Sequence, residues 1–334
     1  MSAVETLLDA REPFKFIGKW KKSDPCISER PAEDVEYDEP HAKRRIAILE
    51  SHPEVRHLYG NCHLTFLVFI FALIIHGMVA HFLTHLSYPI IVFLSFFVGG
   101  TVCQLMGVII HEATHDLIFP NSLLNTMVLF LCVVGKDPDL PLEIEYHLIR
   151  GSPIKKLIWL LIYPAMYAIR GASLKKVPSA AEVVNVIFVI AFQMALYRFY
   201  EWNASFILYY WLSFYFGYTI HPAAAHFIQE HFTWVDGQET YSYYGSLNLV
   251  FLNIGYHNEH HDFSQVTGIA PEFYSEPQYF SHKSWVKVYI DFIFSRELGP
   301  QSRVIRTYEA HLNGRNMISS KRLARQGKNN KLVK

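Results

Sequence analysis

Two groups of histidines in this chain have the spacing of metal ligands on helices. His111 and His115 are four residues apart, and His257, His260 and His261 stand at positions i, i+3 and i+4. Residues with these separations lie on one face of an α-helix. Each group could therefore direct several imidazole nitrogens toward one point, as metal binding requires.

A further candidate ligand, His226, lies between these groups in a stretch that runs from His221 to His231. Imidazole is a ligand for iron, copper and zinc. One zinc ion takes four ligands in a structural site and commonly three from the protein in a catalytic one. The candidates exceed that number, and few carboxylates accompany them, so the sequence favours two metal ions. The full candidate set is His111, His115, His226, His257, His260 and His261.

The setting of these histidines favours iron that activates dioxygen, because a histidine-rich and water-restricted site beside a membrane can select it. The chain has 18 histidines. Isolated ones such as His41 and His282 are predicted to be hydrogen-bonded structural groups, which is the commoner role of a single histidine.

Long uncharged segments predict that the chain crosses a membrane. Residues 64–86 and 88–110 contain no Asp, Glu, Lys or Arg, and each reaches the roughly 20 residues that a bilayer core requires. A short break separates them, which predicts a helical hairpin. A second hairpin is predicted at residues 183–200 and 204–220.

Two shorter apolar stretches, residues 123–134 and 157–169, fit interfacial or re-entrant helices better than spans. The predicted fold class is therefore an all-α membrane protein with four transmembrane helices in two hairpins and a cytosolic, histidine-rich helical cap. Its predicted parts are a cytosolic leader (1–62), the membrane domain (63–300) and a basic tail (301–334).

The distribution of basic residues predicts the orientation of the chain. Four spans place both termini on one side of the membrane. The basic residues outside the spans, including Lys43-Arg44-Arg45 and Lys155-Lys156, would then be cytosolic, in agreement with the positive-inside rule. The second and fourth spans end on that same side, so all three histidine stretches are expected to meet there.

Composition excludes several other classes of protein. Lys plus Arg and Asp plus Glu both number 30, so the chain carries no net charge and we expect no nucleic-acid partner. The 51% of hydrophobic residues excludes a disordered body. The four cysteines have no paired spacing, which indicates neither a disulfide framework nor a cysteine zinc site.

A competing interpretation takes the first histidine group as the zincin pattern. In His111-Glu112-x-x-His115, the two histidines would bind zinc and Glu112 would be the general base of a membrane-embedded metalloprotease. That interpretation needs only one further ligand, and it leaves the group at 257–261 unexplained.

Beyond these spacings, the residues resemble the membrane fatty-acyl desaturases, and most closely the sphingolipid Δ4-desaturases (dihydroceramide desaturases). The likeness covers most of the chain. His111-Glu112-x-x-His115 is similar to the first histidine box of the family. The more specific matches are the leader around Tyr37-Asp38-Glu39-Pro40-His41 and the last histidine box, Asn253-x-Gly255-Tyr256-His257-Asn258-Glu259-His260-His261.

The resemblance implies a di-iron enzyme of the endoplasmic reticulum membrane with four spans, a cytosolic catalytic domain and both termini in the cytosol. The implied reaction is the O2-dependent desaturation of dihydroceramide to ceramide, with electrons from cytochrome b5 and its reductase. The same ligands would also support C4-hydroxylation, so that outcome stays open. By position, His111 and His115 match ligands of the first box, the group at 257–261 matches those of the last box, and His226 matches the extra ligand after the fourth span.

One feature of the chain departs from the family. The family has a middle box of the form HxxHH between the first box and an acidic-Leu-Pro segment, which corresponds here to Asp137-Pro138-Asp139-Leu140-Pro141. Residues 116–136 contain no histidine, and residues 131–137 look like a join across missing sequence. Because lost ligands weaken a metal site, we expect an incomplete di-iron centre and an impaired enzyme. An alternative is a non-catalytic membrane partner of an intact desaturase.

Overall fold

The computed structural model of the chain describes residues 40–83, 86–130, 141–173, 178–236, 238–266 and 279–303. Within these ranges the chain is helical, and its few extended contacts are isolated bridges rather than strands. The predicted leader before residue 40, the predicted join at 131–137 and the tail after residue 303 lie outside the described residues.

The helices follow one another along the chain, with short 3-10 turns at Pro53–Leu58, Pro222–Ala225 and Ser246–Leu249. They are α1 (Pro40–Ser51), α2 (Leu64–Phe82), α3 (Tyr88–Thr114), α4 (Ser122–Phe130), α5 (Glu143–Ile149), α6 (Pro153–Leu161), α7 (Tyr163–Ser173), α8 (Ala180–Phe199), α9 (Ala204–Gly217), α10 (His226–Gln229), α11 (His257–Asp262) and α12 (Trp285–Phe294).

Three described helices are long and apolar enough to cross a membrane: Leu64–Phe82, Tyr88–Thr114 and Glu182–Phe199. They correspond to the first three predicted spans. The fourth prediction falls on α9, which has 14 residues. At 1.5 Å per residue such a helix is roughly 21 Å long, less than the roughly 30 Å of a hydrocarbon core. The arrangement of four spans in two hairpins therefore stays a prediction.

The helix ends opposite the histidines form a small apolar cluster of their own. Ala80, Leu83 and Ile91, around the turn between α2 and α3, pack with Tyr197, Phe206 and Tyr209 around the turn between α8 and α9. The two helix turns consequently lie at one end of the bundle. A larger core lies toward the other end, where α3 ends at the first histidine group.

The contact between α3 and α9 depends on a glycine. A π-helical turn at Ser95–Gly100 interrupts α3, and Gly99 lies directly against the fully buried Ser213 of α9. A Cβ atom added at Gly99 would be 1.8 Å from Ser213 Oγ. Only a residue without a side chain permits this distance between the two helices.

We therefore expect Gly99→Ala to destabilise the protein by about 1–3 kcal/mol, the usual cost of overpacking. The matched control is Gly77→Ala, since a Cβ atom at Gly77 would meet nothing within 4 Å and alanine favours a helix by up to about 1 kcal/mol. Thermal unfolding in detergent measures both variants. Equal stability of the two would contradict the described packing of α3 on α9.

The short helices α5, α6 and α7 are joined by a buried ion pair. Glu145 on α5 accepts hydrogen bonds from Arg170 Nε at 2.7 Å and Arg170 Nη2 at 2.6 Å, and a third from Trp159 Nε1 at 2.7 Å. Glu145 and Arg170 are only 1% and 2% exposed. Because a buried charge is costly without a partner, this pair specifies how the three helices pack.

A second buried charge attaches these short helices to α12. Lys156 on α6 is fully buried, and its Nζ donates to the carbonyl oxygens of Phe292 and Ser295 at the end of α12. A cation is favourable at this position, because the last carbonyl groups of a helix have no partner within the helix.

Candidate metal centre

The first triad of imidazoles combines the end of α3 with α11. The Nε2 atom of His260 lies 2.9 Å from Nε2 of His111 and 3.3 Å from Nε2 of His115. The rings of His111 and His115 are 4.8 Å apart, so these two share a helix face as their spacing predicts. We call His111, His115 and His260 the first triad.

The second triad combines α11 with the segment after α10. The Nε2 atoms of His257 and His231 are 2.9 Å apart. The ring of His261 lies 4.5 Å from that of His257 and 5.0 Å from that of His231. We call His231, His257 and His261 the second triad.

The geometry of the first triad is compatible with a metal ion, and hydrogen bonds alone do not satisfy its three nitrogens. A neutral imidazole has one N–H donor and one acceptor nitrogen. Where nitrogens of three imidazoles meet, a proton on one nitrogen can form a hydrogen bond to a second. The third nitrogen then faces a lone pair and has no hydrogen-bond partner in the triad. A metal ion with bonds of about 2.1 Å at tetrahedral angles separates its nitrogen ligands by roughly 3.4 Å. The nitrogen distances of 2.9 Å and 3.3 Å around His260 are close to that value.

The protonation of these histidines also suits metal binding. Burial lowers the pKa of His231 and of His260 to about 4. The pKa values of His257 and His261 are lowered well below the usual range, first by burial and then by neighbouring imidazoles of both triads. The four side chains are neutral near pH 7, and neutral imidazole is the form that binds metal.

A glycine-dependent turn places α11 beside α3. Leu252 and Asn253 have positive φ angles of 50° and 62°, and the chain then passes very close to Tyr243 and Asn248. A Cβ atom added at Gly255 would be 2.2 Å from Asn248 Oδ1 and 2.9 Å from the carbonyl oxygen of Tyr243. The glycine of the last histidine box is therefore required by this close approach.

Buried carboxylates support α11 from behind. Glu230 Oε1 lies 3.7 Å from Nδ1 of His257, which is an ion-pair distance but longer than a hydrogen bond. Glu259, which is fully buried, accepts hydrogen bonds from the hydroxyl groups of Ser242 and Tyr244. These contacts restrict the rotation of α11 about its axis.

The structure divides the predicted ligands differently from the sequence analysis. His257 and His261 contribute to the second triad and His260 to the first, so the last box serves two sites rather than one. His226 lies outside both triads: its Nδ1 is 2.8 Å from the carbonyl oxygen of Ala223, and its Nε2 is 4.0 Å from Glu230 Oε1. Its role as a ligand stays a prediction.

Sequence reasoning did not select His231 as a ligand. Both His226 and His231 follow α9. Five residues apart, they would point about 140° apart on a helix, and spacing alone does not indicate which of the two faces the other histidines. His41, predicted to be an isolated structural group, lies beside the site with its ring 5.0 Å from that of His261. The sequence contained one signal for this position: His41, like its neighbours Lys43 and Arg44, belongs to the leader that resembles the leader of the family.

The zincin interpretation also has a geometric counterpart. His111, His115 and His260 would supply the three zinc ligands, and the buried Glu112 lines a small pocket together with His260, Tyr256 and Glu259. The second triad has no function in that interpretation.

Membrane-length helices together with two groups of converging imidazoles define a class of protein: helical membrane proteins with histidine-rich candidate metal sites. The family profile described as "Sphingolipid Delta4-desaturase (DES)" matches residues 35–64. Curated relatives extend the likeness over most of the chain, and the chain belongs to the sphingolipid Δ4-desaturase family. Because these desaturases are oxidoreductases, the chain is assigned to that enzyme class, and the resemblance predicted from its residues is confirmed.

Three relatives illustrate the extent of the likeness. "Sphingolipid delta(4)-desaturase DES1-like" of Oryza sativa subsp. japonica is 34% identical over 302 residues, covering 80% of this chain and 90% of the relative. "Sphingolipid delta(4)-desaturase DES1" of Xenopus tropicalis is 32% identical over 320 residues, with 84% and 97% covered. "Sphingolipid delta(4)-desaturase/C4-monooxygenase DES2" of Homo sapiens is 32% identical over 315 residues, with 83% and 95% covered. No solved structure matches the chain significantly.

These alignments contain more positions than this chain contributes. For the Xenopus relative, 84% of 334 residues is about 281 residues, so about 39 of the 320 aligned positions face gaps in this chain. The absence of a segment with the middle histidine box stays a prediction.

Proposed function

We propose that this chain binds two iron ions through the two triads and acts on the sphingoid chain of dihydroceramide. The reaction would remove two hydrogens with O2 to give ceramide, with C4-hydroxylation as the alternative outcome. The observation that carries the proposal is the presence of two separate triads, His111, His115 and His260 in the first and His231, His257 and His261 in the second.

The substrate explains why a metal is needed. A methylene C–H bond of a lipid chain has no acidic proton, so an acid or base residue does not break it; bound iron supplies an oxidant derived from O2 that can do so. The protein holds neutral imidazoles close together, and the Glu230 carboxylate lies 3.7 Å from Nδ1 of one of them, His257. Because the first box continues directly from the span Tyr88–Thr114, a lipid chain can approach the site from the bilayer.

We propose that the missing middle box lowers activity without preventing metal binding. Each ion would have three imidazoles, and His226 is the predicted additional ligand. Loss of a residue that only supports a ligand already costs about 10- to 100-fold in metal affinity or activity. Loss of the ligands of a whole box should cost at least as much, so we expect turnover at least about 10-fold below that of the rice relative.

The proposed partners and location follow from the family resemblance. Electrons would come from cytochrome b5 and its reductase, and the protein would lie in the endoplasmic reticulum membrane with both termini in the cytosol. The basic residues Lys155 and Lys156 lie in the first turn of the apolar helix α6, outside the spans, which is consistent with a cytosolic face.

Metal analysis combined with a lipid assay tests this function. The detergent-solubilised chain, saturated anaerobically with Fe²⁺ and freed of excess metal, is expected to hold near two ions. With cytochrome b5, its reductase and O2, it should convert dihydroceramide slowly, and the rice relative is the positive control. Two ions without any lipid oxidation would favour the non-catalytic partner. A single zinc ion after purification would contradict the proposed function.

Glu112→Gln separates the desaturase from the metalloprotease. Glu112 is in neither triad, so the variant is expected to keep its metal ions and to remain as inactive toward unfolded casein as the unmodified chain. A zinc peptidase would instead cleave casein and lose about 100-fold or more of that activity with its general base. Product analysis by mass spectrometry distinguishes the two results.

A further inference from the structure

Helix α1 of the leader is attached to α11 by a bidentate ion pair. Arg44 Nε donates to Asp262 Oδ2 at 2.6 Å, and Arg44 Nη2 donates to Asp262 Oδ1 at 2.8 Å. Asp262 is fully buried. A paired guanidinium fork fixes both the position and the orientation of a carboxylate, which a single point charge does not.

The same arginine reaches a second residue of α11. Arg44 Nη2 lies 2.9 Å from Asn258 Oδ1, which also accepts a hydrogen bond from Thr240 Oγ1 at 2.7 Å. His41, one turn earlier on α1, contacts Asp262 Oδ1 through Nδ1 at 2.7 Å and Thr240 Oγ1 through Nε2 at 3.1 Å. The partners of Arg44 in this network are buried, and the Arg44 side chain is itself mostly buried.

The two residues held by Arg44 are the direct neighbours of metal-ligand candidates. Asn258 follows His257, and Asp262 follows His261, so the network holds the beginning and the end of α11. The helix has six residues, too few to be stable alone. Its rotation, which directs the imidazoles, therefore depends on contacts with other elements.

We propose that Arg44 is a positioning residue for the metal centre, which acts by fixing α11 through Asp262 and Asn258. This inference rests on the proposed function, because it assumes that the triads bind metal. It gives the leader, where the family profile matches residues 35–64, a role in preparing the second triad for its ion.

Titration with Co²⁺ tests the inference without relying on enzyme activity. Arg44→Ala is expected to weaken Co²⁺ binding by about 10- to 100-fold, as for other residues that orient ligands, and to change the visible absorption of the bound ion. The Co²⁺ affinity of Arg44→Lys should lie between those of the unmodified chain and Arg44→Ala, because lysine keeps the charge but lacks the guanidinium group that makes two parallel hydrogen bonds to a carboxylate. Arg45→Ala is the matched control: it removes the same charge from α1, and among the described residues Arg45 forms one long side-chain hydrogen bond, 3.4 Å, to the carbonyl oxygen of Asp262.

Unfolding of the metal-free variants separates positioning from stability. If Arg44 had only a structural role, its substitution would lower the thermal stability of the metal-free protein and leave the Co²⁺ affinity and the spectrum of the folded fraction unchanged. That result would overturn the inference. If Arg44→Ala does not fold, Arg44→Lys and Thr240→Val carry the test, since each weakens the same network. Unmodified affinity in both would also overturn it.

The two proposals fail in different ways. An unmodified chain that binds two Co²⁺ ions, together with Arg44 variants that bind them equally well, contradicts only the role of Arg44. An unmodified chain that binds no Co²⁺ contradicts the proposed function and the inference that depends on it.

Discussion

The His260→Ala variant is expected to bind one metal ion where the unmodified chain binds two. His260 is the ligand candidate that brings α11 to the first triad, with its Nε2 atom 2.9 Å from that of His111. Without it, two imidazoles remain at that site, and the affinity should fall by more than the 10- to 100-fold typical of a supporting residue. Iron analysis after anaerobic loading measures the stoichiometry.

The companion variant is His261→Ala, which should remove the other ion and leave the first triad intact. The control is His147→Ala, because His147 is half-buried on α5 and its Nε2 faces Glu143 Oε1 at 3.4 Å.

His260→Ala and His261→Ala together also test the zincin interpretation. A single-ion peptidase would lose its metal with His260→Ala and keep it with His261→Ala. Any result in which both variants retain two ions contradicts both interpretations.

Glu145→Gln is expected to destabilise the protein by about 3–5 kcal/mol, the usual cost of removing one partner of a buried ion pair. The guanidinium of Arg170, which is 2% exposed, would then be left without its carboxylate. The amide of Gln can still accept from Trp159, so the loss reports mainly the unpaired charge. Thermal or denaturant unfolding in detergent measures the change in the free energy of unfolding.

The matched control for Glu145→Gln is Glu143→Gln on the same helix. Glu143 pairs with His147 across one helical turn, and both side chains are about one third exposed. Exposed pairs of this kind contribute about 0–1 kcal/mol, so the control should be nearly neutral. Similar stabilities of the two variants would show that the described packing of α5, α6 and α7 is wrong.

Much of the fold follows from the sequence because hydropathy is a local property. The uncharged segments 64–86 and 88–110 lie on α2 and α3, and the spacing of four between His111 and His115 places their rings together. Helix ends were harder to predict. The span that carries the first box continues to Thr114, beyond the predicted end at residue 110. Its last turn packs against other elements, and the hydropathy of the segment does not indicate that packing.

The partition of the ligands could not be read from spacing. On a helix, His260 lies about 60° from His257 and about 100° from His261, so the pattern permits one site or two. Contacts with residues far away in sequence decide between them: α3 provides the partners of His260, and His231 provides that of His257. The same holds for Arg44, whose partners lie 214 and 218 residues away.

The short helix α11 limits which sequence changes the two triads can tolerate. Its six residues contribute to both triads, so the separation of the two candidate metal sites is determined by the rise and twist of one backbone segment. Inserting or deleting one residue there would rotate every following imidazole by about 100° and direct it away from its triad. Such a segment tolerates exchanges of side chains far better than changes of length, because a change of length would disturb both triads at once.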